Sequence, residues 1–387
     1  MKKVYFLYSH PIQYFAPLIK QLTEASFCEC TVLYCEDTTQ GYFDAEFGKR
    51  INWDIPLLDG YHYLFLRNSF LSRIGGFFRL SNLSVRKYLG KKKADVLVVH
   101  GWGYFTAVFA ICWACVAGTE VWLRGENPYN QDIKKSGYKR LFKKIFLQYF
   151  LFKMVNRFLY IGKQNKRFYE HYGVPADKLV FCPYAVDNER LQQSRPLLSK
   201  NAARNQLQLK PDEFVVLFSG KLVPKKNPLD VLKAFHLAAI PGSRLILLGD
   251  GELMPQLKTF ITDNQVTNVL LEGFKNQTEL PAYFIAADIF VIASGMGETW
   301  GLVVNEAMNY ELPVISSDLT GSADDLVENK KNGYVFPLGD INQLAASLKQ
   351  SAADAGWLRA AGATSLKIVN GYSYHTIITN FRQALVN

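Results

Sequence analysis

This chain of 387 residues is short of several features that would have placed it at once. Its six cysteines, Cys28, Cys30, Cys35, Cys112, Cys115 and Cys182, show no disulfide-framework spacing and lie in apolar runs. Free thiols of that kind suggest a reducing compartment. Cys112 and Cys115 form a CxxC, but within Ala110–Ala117, which reads as a buried helix with no second ligand pair to complete a metal site. Long apolar runs are also lacking. Val96–Thr119 carries no formal charge, yet His100-Gly-Trp-Gly103 interrupts it, and Tyr104–Gly118 falls short of the ~20 residues a spanning helix needs. The start, Met1-Lys-Lys-Val-Tyr-Phe-Leu-Tyr8, resembles a signal peptide whose apolar core is too short. A cytoplasmic protein is expected, soluble or peripheral on the inner face of the membrane. No Asp-x-Asp ends a strand, no metal-ligand cluster is evident and no nucleic-acid module is recognisable. Neither metal, other cofactor nor nucleic acid is therefore expected.

What is present belongs to a well-packed globule: 49% hydrophobic residues, 20% charged and 14% aromatic. The length is too great for one ordinary core, so two domains are expected. The net charge of +10 is one-sided. Residues 1–190 hold 27 Lys and Arg against 16 Asp and Glu, whereas 191–387 hold 17 against 18. The basic half calls for an acidic partner: anionic membrane lipid, a phosphorylated acceptor or nucleic acid.

Short β-branched and aromatic runs alternate with helical patterns. Val4–Tyr8, Thr31–Tyr34, Tyr63–Leu66, Val96–Val99, Val121–Leu123 and Phe158–Ile161 read as strands, and Tyr14–Thr23 as a helix. From about Asp187 to Asp212 the pattern lapses into polar residues, which reads as an interdomain connection. Strands resume at Val215–Phe218, Leu245–Leu248, Val269–Leu271, Ile289–Ile292 and Val314–Ser316. The fold class is α/β, with two Rossmann-like domains expected to face one another across a cleft. Their spans are 1–190 and 191–371, and a C-terminal helix over about 372–387 is expected to pack back on the first.

Three segments of the second half carry chemistry. Phe218-Ser-Gly-Lys-Leu-Val-Pro-Lys-Lys-Asn-Pro228 places Lys221, Lys225 and Lys226 between a strand and a helix start, where cations suit a diphosphate. Leu247-Leu-Gly-Asp-Gly-Glu252 runs a strand into a tight turn. Ala293-Ser-Gly-Met-Gly-Glu-Thr-Trp-Gly-Leu-Val-Val-Asn-Glu-Ala307 sets Glu298 in a glycine-flanked loop and Glu306 in the following helix, so that both can face one ligand. Gly301 exposes amides suited to phosphate.

In this order, and with Gly173-Val-Pro-Ala-Asp-Lys-Leu, Pro183-Tyr-Ala-Val-Asp187, Gly273-Phe274, Glu311-Leu-Pro-Val314 and Asn332-Gly333, the segments resemble glycosyltransferase family 4. These are retaining enzymes with the two-domain GT-B fold, and the likeness runs from about Gly173 to Phe336. It implies that Lys221 and Lys226 hold the diphosphate of a nucleotide-sugar donor, UDP-sugar favoured, beside Gly220. Glu306 would bond the ribose, Glu298 the transferred sugar, and Gly273-Phe274 would lie along the base. Thr299 and Trp300, with the amides of Gly301 and Leu302, would complete the donor site. In catalysis, Glu298, Lys226 and His100 are the candidates.

There are departures. Lys221 stands where the family usually has arginine, and Asn227 and Glu311 replace common glycines. In the first half, Ser9-His-Pro-Ile-Gln13 replaces a glycine-rich loop. His100 ends a strand where the family often places an active-site histidine; its bland reading is a strand cap. His10, Arg124 and Glu126 are acceptor-side candidates. The expected reaction is metal-independent transfer of a hexose-type sugar, retaining its configuration, onto a glycan or lipid-linked acceptor of cell-surface polysaccharide or glycoconjugate synthesis. The basic and aromatic stretch Lys134–Phe150, with Lys91-Lys-Lys93, suits an anionic bilayer or a core-packed helix with a solvated face. A nucleotide-sugar epimerase or phosphorylase on the same fold and a non-catalytic basic binding protein are the other readings.

Overall fold

The computed structural model describes residues 1–39, 41–44, 49–51, 54–90, 93–134 and 137–386. Lys91, Lys92 and Lys135 of the basic segments lie outside the described residues. The chain divides into two units, one of residues 1–42, 55–184 and 374–387 and one of 43–54 and 185–373. Apart from the short stretch 43–54, the chain passes from the first unit to the second at 184/185 and back at 373/374.

In the first unit, seven parallel strands run in the order His62–Phe65, Cys28–Tyr34, Lys2–Tyr8, Val96–His100, Glu120–Arg124, Arg157–Tyr160, Leu179–Phe181. Strands covered on both faces read as unbroken apolar runs, as Val96-Leu-Val-Val99 does, and all four of those residues are buried. Leu97, Val99, Val121 and Leu123 pack on Ala107, Ala110, Ile111 and Ala114 of the helix Phe105–Ala117. That helix is not buried all round, as the CxxC reading had it. Cys115, Trp113 and Val116 face outward, because small residues occupy only its inner stripe. The helix Tyr374–Val386 belongs to this unit. Its Phe381 sits 4.9 Å from the ring of Trp122 and 5.8 Å from that of Phe6, and Asn380 Nδ2 donates to the Phe181 carbonyl.

The second unit has six parallel strands, ordered Val269–Gly273, Ser243–Leu248, Phe214–Ser219, Ile289–Ile292, Val314–Ser317, Gly333–Phe336. The polar stretch read as a connection is mostly helix: Asn188–Ser194 and Lys200–Gln206. Its polar groups serve packing, since buried Arg204 reaches the Ala286 carbonyl and Asp288, and Asn188 bonds the Val369 carbonyl and Asn309.

Both sheets share one topology. From one edge, the first six strands of each follow the order 3-2-1-4-5-6, so the winding reverses between strands one and four. Open α/β sheets bind ligands at the carboxyl ends of strands beside that reversal. In the first unit the reversal lies between Lys2–Tyr8 and Val96–His100, and in the second between Phe214–Ser219 and Ile289–Ile292.

Candidate active site

In the second unit, the loop leaving Phe214–Ser219 carries Gly220, Lys221 and Lys226, and the loop leaving Ile289–Ile292 carries Glu298 through Leu302. Both loops leave at the reversal. They are tied by a 2.7 Å bond from the Gly295 amide to the Lys225 carbonyl and a 3.0 Å bond from Asn227 Nδ2 to the Ala293 carbonyl. Lys226 and Glu298 are ion-paired, and both are largely buried. A cation and a carboxylate held together this way retain charge in a poorly hydrated place, where it acts strongly on an incoming polar ligand.

Glu306 is buried in the helix Val303–Asn309, one turn beyond Gly301 and Leu302. Gly301 adopts φ +89°. Thr299 is half-buried; the Trp300 indole is buried, donates to Asn305 Oδ1 at 2.8 Å and lies 5.9 Å from the tilted ring of Tyr372. Gly273 ends the third strand of the unit and Phe274 follows it, and the Gly249 amide bonds the Gly273 carbonyl at 2.8 Å. Gly249, at φ +137°, admits no side chain: a Cβ there would lie 1.8 Å from the Gly220 carbonyl oxygen. The Gly-Asp-Gly turn thus supports the Gly220 loop by close backbone approach.

The two departures from family glycine both carry left-handed backbone, Asn227 at φ +47° and Glu311 at φ +58°. Asparagine tolerates that region better than most residues. At Glu311 the helix closes by a Schellman pair: Leu312 N–H to the Ala307 carbonyl at 3.2 Å and Glu311 N–H to the Met308 carbonyl at 3.1 Å. The loop shapes therefore persist without the glycines, and Glu311 gains an ion pair with Arg195 at 2.7 Å.

In the first unit, His100 and Glu126 meet. His100 Nε2 lies 2.7 Å from Glu126 Oε1, and the Tyr184 hydroxyl donates to the same oxygen. Neighbouring strands bring them together, with His100 in register with Arg124. Burial would raise the Glu126 pKa, but the bond and charge of His100, the Tyr184 hydroxyl and Arg124 together hold it down at about 2. Arg124 is buried, donates to the Pro183 carbonyl at 3.3 Å and lies over the rings of Phe15 and Tyr184. Phe15 and Tyr8 flank the His100 imidazole at 4.8 and 5.4 Å. His10 follows the first strand, sharing a 2.9 Å bond with Ser9 Oγ; burial lowers its pKa, Glu36 works against that and Arg79 with it.

His100, Glu126 and Arg124 stand apart in the sequence, and the fold gathers them into one cluster with Tyr184. Tyr184 sat in the Pro183–Asp187 motif, where a buried tyrosine two strands away gives no periodic signal. Among the described residues, no group of three or more His, Cys, Asp and Glu side chains could hold a metal ion.

Two units, each built on a parallel sheet of Rossmann-like order, are the architecture of the GT-B fold. Sucrose-phosphate synthase of Thermosynechococcus elongatus superposes with a TM-score of 0.73 at 18% identity, covering 100% of this chain and 98% of that one. HepE of Anabaena, solved in complex with UDP and glucose, superposes at 0.73 with 17% identity over 100% of both chains. Residues 199–361 match the family described as Glycosyl transferases group 1. The UDP-Gal:α-D-GlcNAc-diphosphoundecaprenol α-1,3-galactosyltransferase of Escherichia coli is 30% identical over 302 residues, 76% of this chain and 75% of its own. The chain belongs to the group 1 glycosyl transferases and is a glycosyltransferase, which removes the non-catalytic reading. Its relatives act in polysaccharide and lipid-linked glycan synthesis, among them the capsular polysaccharide glycosyltransferase CapM of Staphylococcus aureus, 24% identical over 59% of this chain and 57% of its own.

Proposed function

We propose that the protein is a retaining, metal-independent hexosyltransferase of family 4 that moves a sugar from a UDP-sugar to a lipid-linked or glycan acceptor. The observation that carries this reading is the largely buried Lys226–Glu298 pair at the sheet reversal of the second unit. Lys221 and Lys226 neutralise the donor diphosphate, Gly220 and the amides of Gly301 and Leu302 lie against it, and Glu306 bonds the ribose. Phe274 and Gly273 lie along the base, with Thr299 and the Trp300 backbone beside the phosphates. The solved complexes of HepE with UDP and the galactosyl donor in the Escherichia coli relative's name support uracil as the base.

In the transfer, the bond from the sugar's anomeric carbon to the β-phosphate oxygen breaks, and the electron pair stays on the departing diphosphate. Lys221 and Lys226 stabilise that charge in place, a contribution of the kind worth about 10²–10³ in rate per donor group. The acceptor hydroxyl attacks from the same face, and its proton passes to the leaving phosphate oxygen. Glu298 holds the sugar hydroxyls while this happens. His100, Glu126, Arg124 and His10 serve the acceptor side, and an acceptor carried on a lipid diphosphate matches the basic first half.

Incubation with a panel of UDP- and GDP-sugars and a lipid-diphosphate-linked N-acetylglucosamine acceptor tests this. Transfer from a UDP-hexose giving a product of unchanged anomeric configuration by NMR is expected. Inverted configuration, or a donor epimerised or phosphorolysed without transfer, overturns it.

A further inference from the structure

The segment Gly137–Phe150 is built inside out. It forms a helix over Gly137–Lys144 that continues as a wider π-helical stretch over Ile145–Phe150. Tyr138, Leu141, Phe142, Ile145 and Tyr149 recur at the i, i+3, i+4, i+7, i+11 spacing of one helical face, which in a soluble protein turns toward the core. Here that face is turned outward. Phe142 is 72% exposed, Tyr149 66% and Tyr138 65%, while Leu147 alone of the large apolar residues in this segment is fully covered. The cation that ought to be solvated goes inward instead: Lys143 pairs with Asp132 at 2.6 Å and lies over the Phe168 ring. This removes the reading of a core-packed helix with a solvated basic face.

A second apolar strip adjoins the same framework. The rings of Phe77, Phe105, Phe109 and Trp113 follow one another at 6.4, 5.7 and 6.1 Å along the helix Phe105–Ala117. That helix also packs against Leu151–Met154, the turn that ends the inside-out segment. Phe77, Trp113 and Val116 are exposed. So many exposed large apolar side chains on neighbouring elements mark an interaction site.

Charge chooses the partner. Lys134–Phe150 contains six Lys and Arg and no Asp or Glu, and Lys134 and Lys144 are exposed. Two copies meeting through this face about a twofold axis would set like charges against each other. A bilayer with anionic headgroups satisfies both halves of the pattern, taking aromatic side chains at the acyl boundary and lysines at the phosphates. Among the described residues, no helix is long and apolar enough to cross a membrane. We infer that the first unit docks in the plane of an anionic bilayer through Tyr138–Phe150, with Phe142 and Tyr149 inserted and Lys134 and Lys144 on the headgroups. The inference deepens the lipid-borne acceptor reading by naming the surface that reaches it. Its test needs no sugar donor, so its failure leaves the transfer reaction standing.

The test is flotation of the full chain with vesicles of phosphatidylcholine alone and of phosphatidylcholine mixed equally with phosphatidylglycerol. Binding to the anionic vesicles only, weakened by salt, is expected. The triple variant Leu141→Ser, Phe142→Ser, Tyr149→Ser should lose about tenfold or more of that binding. Its melting temperature should stay unchanged, because these side chains are exposed. Lys134→Glu with Lys144→Glu should lose a similar factor and flatten the salt dependence. Equal binding to both vesicle types, or undiminished binding by the triple variant, overturns the inference. So does concentration-dependent dimerisation in sedimentation that the triple variant abolishes while vesicle binding is absent.

Discussion

Lys226 and Glu298 stand 72 residues apart in the chain and form a largely buried ion pair at the sheet reversal of the second unit. Each loop alone reads as a charged surface turn. Joined, they hold a cation and a carboxylate where open α/β sheets take their ligands. The pair also bridges two roles, since the lysine is assigned to the donor diphosphate and the glutamate to the sugar.

Removing one partner should cost more than the other's function. Lys226→Ala leaves Glu298 buried without its cation, so stability should fall by about 1–3 kcal/mol and transfer by about 10²-fold or more. Adding Glu298→Ala to that variant should restore most of the stability and none of the activity. Urea denaturation of the two single variants and the double one, beside transfer rates, separates the effects.

The His100–Glu126 contact predicts a pH signature. The Glu126 pKa in the folded protein is about 2, below the value of 4.5 for an unperturbed glutamate. Its stabilisation is complete above pH 4.5 and is lost as pH falls toward 2, amounting to at most about 3 kcal/mol. Glu126→Gln should be less stable at neutral pH and flatter through that window. Denaturation at a series of pH values shows the difference between the two curves.

Asn227 and Glu311, both in left-handed backbone, should respond differently to glycine. Glu311→Gly relieves a strained φ of +58° and loses only a half-exposed ion pair, so it should raise the melting temperature by about 2 °C. Asn227→Gly relieves less and removes the bond to the Ala293 carbonyl, so it should be neutral or lower it. Scanning calorimetry of both variants decides.

Phe381 fastens the C-terminal helix to the first unit through Trp122 and Phe6. Phe381→Ala should destabilise that unit by about 3–4 kcal/mol, through lost burial and the cavity it leaves. Fluorescence of Trp122, which lies against the ring, should report an earlier transition in denaturant.

The candidate donor-side residues stand out in the sequence because they come in contiguous runs. Gly220 to Lys226 and Gly297 to Glu306 each leave a strand and enter a helix, and local chemistry shows their polarity and turn residues directly. The first-unit cluster was legible only as separate residues. His100 ends one strand and Glu126 follows the end of the next, and the parallel register that sets His100 beside Arg124 brings them within bonding distance. The helices at Asn188–Ser194 and Lys200–Gln206 read as linker because their packing runs through Asn188, Gln192 and Arg204 rather than through an apolar stripe. For Lys134–Phe150 the composition shows a basic and apolar helix without saying which way its apolar face turns.

The most direct measurement is UDP binding by calorimetry to the unmodified chain, to Lys221→Ala with Lys226→Ala, and to His100→Ala. UDP should bind the unmodified chain and His100→Ala alike, and the double lysine variant should lose that binding by about tenfold or more. Undiminished UDP binding in the double lysine variant would contradict the placement of the donor site in the second unit.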